Sequence, residues 1–150
     1  MKFIKMHAAG NDYVYVDGDK YDFADFSVAA KKLADRRFGI GSDGLIVVSR
    51  DKTGKADFFM RIFNADGSEG ATCGNGIRCS AVFAFLTGKT TRKSVTVRTL
   101  SAVHTVTYEK RGNEFFSSAD FPLPKILQMP KIIDKTFDFE NVAERSALVD

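Results

Sequence analysis

The 150-residue chain has no tryptophan, three prolines, two histidines and two cysteines. No apolar run approaches the roughly 20 residues that a membrane-crossing helix needs. Cys73 and Cys79 lie six residues apart, which matches no common zinc spacing, and His7 and His104 are too isolated to complete a site, so no metal is expected. A disulfide between the two is not expected either. With Cys73 in a turn and Cys79 one to two helical turns further on, the side chains point in different directions, and both are expected as free thiols in a reducing compartment. Twenty-two basic residues face nineteen acidic ones for a net charge of +3, and the nearest approach to a basic block, "KKLADRR", is diluted. Nucleic acid is therefore not an expected partner. The opening "MKFIKMHAAGND" reaches His7 before any apolar stretch of useful length, so no signal peptide and no membrane partner are expected, and the chain reads as cytoplasmic.

What the chain does have is an apolar fraction of 44% with fourteen phenylalanines, enough for a globular core. Short strands fit at "KFIKM" and "YVYVD" around the turn "HAAGND". Ser27 is placed to cap a helix "VAAKKLADRR" that "FGIGSDG" ends. "LIVVS" and "DFFMRIFN" read as strands, the second setting Phe59, Arg61 and Phe63 against Met60 and Ile62. From Ile77 to Leu86 the chain is almost wholly apolar, with Gly88 as its C-cap, and a helix apolar on most sides is buried on most sides. Strands follow at "SVTVRTL", "AVHTVTYEK" and "EFFSSADF", before "PLPK" marks a boundary. The sum is an α+β domain: a strongly curved, mostly antiparallel, barrel-like sheet around one central buried helix that starts at Cys73 to Asn75.

Cys73 carries the functional question. A helix start offers unpaired N–H groups and the positive end of its dipole, which favours a thiolate and also makes an anion site. Gly74 and Gly76 let a ligand approach the backbone. A thiol so placed serves as nucleophile, metal ligand or carbon acid/base, and the last fits best because the helix start stabilises charge building on an adjacent carboxylate. The plain alternative is an inert loop cysteine. Elsewhere the structural reading leads: Cys79 as a buried hydrophobe, Arg78 as a surface or interface residue, Asp43, Asp66 and Gly67 as turn residues, and Phe58, Phe59, Phe63, Phe83 and Phe85 as core. His7 in the first turn has only a weak claim on the site.

Four separated stretches, "MKFIKMHAAGNDYVYVD", "DRRFGIGSDGLIVV", "MRIFNADGSEGATCGNGIRC" and the apolar helix after it, resemble in order and spacing the N-terminal half of the diaminopimelate epimerase family. The resemblance covers about residues 1 to 120. It implies a fold of two similar domains with the substrate between them, and a cofactor-independent isomerase that interconverts LL- and meso-diaminopimelate using one cysteine from each domain. Carried over, Cys73 is the first acid/base residue, Gly74 and Asn75 hold the α-carboxylate, and Asn11 and Asn64 bond the substrate. Position 44, which can carry a glutamine in the family, is Gly44 here. The expected organisation is an epimerase-like domain at 1–120, followed at 121–150 by a linker and the truncated start of a second domain. The chain is expected to be a fragment, inactive alone for want of the second cysteine and its domain. Its exposed cleft face makes a homodimer one outcome. A non-catalytic binding or assembly module, or a proline racemase-like isomerase of the same fold, are the rival readings.

Overall fold

The computed structural model describes residues 1–121. The expected linker and second-domain start lie, beyond residue 121, outside the described residues. Along the chain run β1 (Ile4–Ala8), β2 (Asn11–Asp17), α1 (Phe26–Ala34), β3 (Gly44–Arg50), β4 (Phe58–Asn64), β5 (Glu69–Gly70), α2 (Gly74–Leu86), β6 (Ser94–Arg98), β7 (Val103–Arg111) and β8 (Glu114–Ala119). The strands form one sheet in the order β1-β2-β3-β4-β6-β7-β8, with the two-residue β5 sharing the far edge of β4. Pairing is antiparallel except at β2–β3 and β4–β6, so the sheet is mixed, as α1 and α2 each supply a crossover.

The sheet is curled. Both of its edge strands, β1 and β8, pack on α2, and so do β2, β3, β4, β6 and β7 between them. The cause is legible in α2 itself, where Ile77, Ala81, Phe83 and Ala84 are each no more than 1% exposed. A helix apolar all round must be covered all round, and a twisted sheet does that by wrapping. Tyr13, Tyr15, Ile46, Val48, Met60, Ile62, Val95, Val97 and Val106 face inward on it. The opposite face of β2 and β3 is buried too, because α1 lies over Val14, Val16, Leu45, Val47 and Phe63. The alternation expected for β4 holds, with Phe59 turned outward beneath the Arg98 guanidinium, 3.8 Å from its ring centroid, instead of joining the core.

Four local expectations shift. The first turn is only Ala9-Gly10, both at positive φ (52° and 84°), a two-residue type I′ connection that puts Asn11 in the ladder opposite Ala8. The cap of α1 is Asp25 and not Ser27: its carboxylate accepts from the N–H groups of Ser27 and Val28 at 2.7 and 3.1 Å. That helix also ends at Ala34, because Asp35 turns the chain by accepting from Arg37 and Phe38 N–H, at 2.7 and 2.8 Å. At the end of α2, Gly88 (φ 72°) lies one residue past the cap Thr87, and the Lys89 N–H reaches back to the Ala84 carbonyl, closing a Schellman motif.

The cap assignment is testable by urea denaturation. Asp25→Ala should cost about 1 kcal/mol, whereas Ser27→Ala should cost little; the reverse order would restore Ser27 as the cap.

Candidate active site

The site grows from the start of α2. Cys73 is its N-cap, in extended conformation (φ −151°, ψ 112°), and its sulfur accepts from the Gly76 N–H at 3.4 Å. Helix geometry leaves the N–H groups of Gly74 and Asn75 without an acceptor inside the helix. A Cβ at Gly76 would stand 2.6 Å from Ile46 Cδ1, so any larger residue there would have to displace that core side chain. The wrapped sheet brings the ends of three strands beside this helix start. Tyr13 pairs with Gly44 and Gly44 with Asn64, forming one row across β2, β3 and β4.

Asn11, two residues before Tyr13 on the same face, reaches the sulfur. Cys73 Sγ donates to Asn11 Oδ1 at 3.6 Å, and Asn75 Nδ2 points at the same oxygen from 3.5 Å. Asn75 Oδ1 in turn accepts from Arg78. Asn11, Cys73, Gly74 and Asn75, named from sequence, are thus brought together. Asn64 is in the row beside them, but its side chain donates to Ser68 Oγ at 2.9 Å, inside a turn that Asp66 holds by accepting from Ser68 N and Oγ. Gly44 has no room for a side chain: a Cβ would stand 2.1 Å from the Phe63 carbonyl oxygen.

Sequence reasoning missed several participants. Asp43, expected as a plain turn former, accepts from Asn11 Nδ2 at 2.8 Å and from the Asp12 N–H at 3.0 Å, while Arg36 donates to both Asp43 and Asp12. Its position directly before β3 hinted at this, but the partner lies 32 residues away. Tyr13 stands close enough to Cys73 that, after burial, the cysteine is the next cause pushing its phenol up. Phe121 covers Gly74, its ring 3.3 Å from where a Cβ would be, and lies tilted by 44° against His104 at 4.7 Å between centroids. His104 is 3% exposed, and its Nδ1 donates to the Asp120 carbonyl at 3.0 Å. His7 lies on the sheet's outer side, opposite Met6 and Ala8 in the alternation, and its side chain is exposed. A groove of about 620 Å³ opens elsewhere, between β1 and β8, where Met6, Ala8, Val82, Leu86 and Phe116 line it and Cys73 does not.

A family model described as diaminopimelate epimerase matches residues 3–120. The chain belongs to the diaminopimelate epimerase family. Among curated relatives, the diaminopimelate epimerase of Halothermothrix orenii is 42% identical over 82% of this chain and 47% of its own length. That of Methanococcus maripaludis is 38% identical over 90% of this chain and 49% of its own. The chain therefore spans about half the length of the curated family members it matches. In fold it is similar to a PhzF-family phenazine biosynthesis protein from Bacillus anthracis, with a TM-score of 0.57 at 23% identity, covering 78% of this chain and 40% of that one. Among the described residues no helix is long and apolar enough to cross a membrane.

Two measurements probe this geometry. Cys79 is 8% exposed and burial pushes its thiol up, whereas Cys73 is half-buried at a helix start. Iodoacetamide should accordingly label Cys73 first; equal rates by peptide mass mapping would mean that burial does not govern access. Arg36 holds the Asp12 carboxyl well below the usual carboxylate range, chiefly by its hydrogen bond. A depressed folded-state value stabilises fully above the unfolded carboxylate's pKa of about 4 and is lost as pH falls through the folded one. The stability gap between the wild-type chain and Arg36→Ala should be flat from about pH 7 to 5 and shrink below about pH 4. A gap that grew on acidification would reverse the assignment.

Proposed function

We propose that this chain is the N-terminal half of a cofactor-independent two-base epimerase, an isomerase that interconverts LL- and meso-diaminopimelate, with Cys73 as one of its two acid/base thiols. The observation that supports this most is the placement of the Cys73 sulfur on the first turn of α2, beside N–H groups that the helix itself cannot use. A substrate carboxylate held by the N–H groups of Gly74 and Asn75 has its α-carbon next to that sulfur. The thiolate removes the α-proton, and the electron pair spreads into the carboxylate, where the helix start stabilises it. Protonation from the opposite face by a second thiol completes inversion, and the proton count closes with the two sulfurs exchanged in role.

Asn11 sits at the sulfur, where its amide can meet the substrate's α-amino end. Asn64 faces the same end of the sheet and would exchange its Ser68 partner for substrate. Cys79, packed inside the curl, is not the second thiol. That group is assigned to the part of the family length that these residues do not span, along with the contacts to the distal end of diaminopimelate. The first domain is placed at 1–120 and the passage to the second at 121–150.

The test follows diaminopimelate in heavy water by NMR and chiral chromatography. The 150-residue chain alone should give no net LL-to-meso conversion, and a form extended through its second domain should give conversion with deuterium at the α-carbon. In that extended form Cys73→Ala should lower turnover by about 100-fold or more. Retained activity in the alanine variant would remove Cys73 from the mechanism.

A further inference from the structure

An asparagine amide can show a neighbour either its oxygen or its NH2, and for a thiol the choice has a sign. An oxygen accepts from S–H and repels S⁻, whereas an NH2 donates to S⁻. The network around Asn11 permits one orientation. Asp43 Oδ2 lies 2.8 Å from Asn11 Nδ2 and 3.0 Å from the Asp12 N–H, and its Oδ1 lies 3.0 Å from an Arg36 nitrogen. A carboxylate paired with a guanidinium only accepts, so Asn11 turns its NH2 toward Asp43 and its oxygen toward Cys73. On the other side Arg78, which only donates, takes Asn75 Oδ1, leaving Asn75 Nδ2 to face the same Asn11 oxygen at 3.5 Å. Turning Asn11 over would set oxygen against carboxylate and NH2 against NH2. Two charged groups from different elements thus specify the atom that stands 3.6 Å from the Cys73 sulfur.

We infer that Asp43 is a positioning residue for Cys73, which through Asn11 holds a carbonyl oxygen against the sulfur and so favours its thiol form. The Gly76 N–H, 3.4 Å away on the other side, favours the thiolate. The two contacts oppose each other, and this deepens the epimerase reading, on which its catalytic meaning rests. In a reversible two-base inversion each thiol starts one direction without its proton and the other direction with it. A site tuned wholly to thiolate would serve one direction only.

The test needs no substrate. Iodoacetamide alkylation of Cys73 is followed against pH in the 150-residue chain, in Asp43→Ala, in Asn11→Leu and in the double variant. The other titratable and charged groups around Cys73 are Tyr13 and Tyr15 of β2, Cys79 and Arg78 of α2 and, beyond the Phe121 ring, His104 of β7; all are unchanged across the set. Asp43→Ala frees Asn11 to present its NH2, so the profile of Cys73 should move to lower pH and its rate at pH 7 rise roughly threefold to tenfold. In the Asn11→Leu background the same substitution should leave the profile in place, since the group that transmits the effect is gone. A profile that does not move in Asp43→Ala, or that moves equally in both backgrounds, overturns the inference. If circular dichroism shows that Asp43→Ala has lost the fold, Asp43→Ser, whose hydroxyl can accept from Asp12 but can also donate and so no longer dictates which end of the Asn11 amide faces it, goes through the same cycle and is judged by the same two outcomes. Failure here would leave the epimerase reading standing, and inactivity of the extended protein would leave this result standing.

Discussion

The structure depends on the burial of α2. Thirteen residues with almost no polar face cannot lie on the surface of a sheet; they must be enclosed. Enclosure forces the sheet to curl until β1 and β8, far apart in strand order, both touch the same helix. The helix start, with Cys73 as its cap and Gly74, Asn75 and Gly76 in its first turn, carries small and polar residues in place of more of the apolar run. The two ends of this element therefore differ: the apolar length fixes the architecture, and the polar first turn, where the proposed site lies, is left facing the row of Tyr13, Gly44 and Asn64.

The same constraint explains why the site is polar but not loose. Backbone N–H groups in a first turn are rigid donors. The side chains that complement them come from strand ends whose register is set by a type I′ turn at Ala9-Gly10 and by the β2–β3–β4 ladders. Charged residues stand one step further out. Arg36, after α1, ties Asp12 and Asp43 together, so the outer helix, which otherwise covers Val14, Val16, Leu45, Val47 and Phe63, is coupled to the orientation of Asn11. Phe121 closes over Gly74, bringing the end of β8 into the same layer and tying the site to His104 in β7.

Much of this was readable in advance because it rests on local pattern. The apolar run predicts α2 and its burial, alternation in "DFFMRIFN" predicts which β4 residues face together, and a cysteine before "GNG" predicts a thiol on a helix start. The misreadings are also local. Ser27 and Asp25 are both good caps two residues apart, and composition does not choose between them; the geometry of Phe26 as the first helical residue does. Strand β5 is two residues long, too short for periodicity to show. Phe59 looks like core in a phenylalanine-rich strand but turns outward, because inward and outward sides alternate strictly and Phe58 takes the inner one.

By itself the sequence determined the helix that must be buried, the strands that wrap it and the family to which the chain belongs, and through that resemblance it named Asn11, Asn64, Cys73, Gly74 and Asn75 as candidate site residues. Each of these follows from near-neighbour chemistry or from motif spacing. Only the tertiary structure decided which atoms of that set meet. Asp43 and Asn11 are 32 residues apart, and Asn11 and Cys73 are 62 apart. Their contact exists only because strands distant in sequence are brought to one end of a curled sheet, and the orientation of an amide depends on what stands on both of its sides at once.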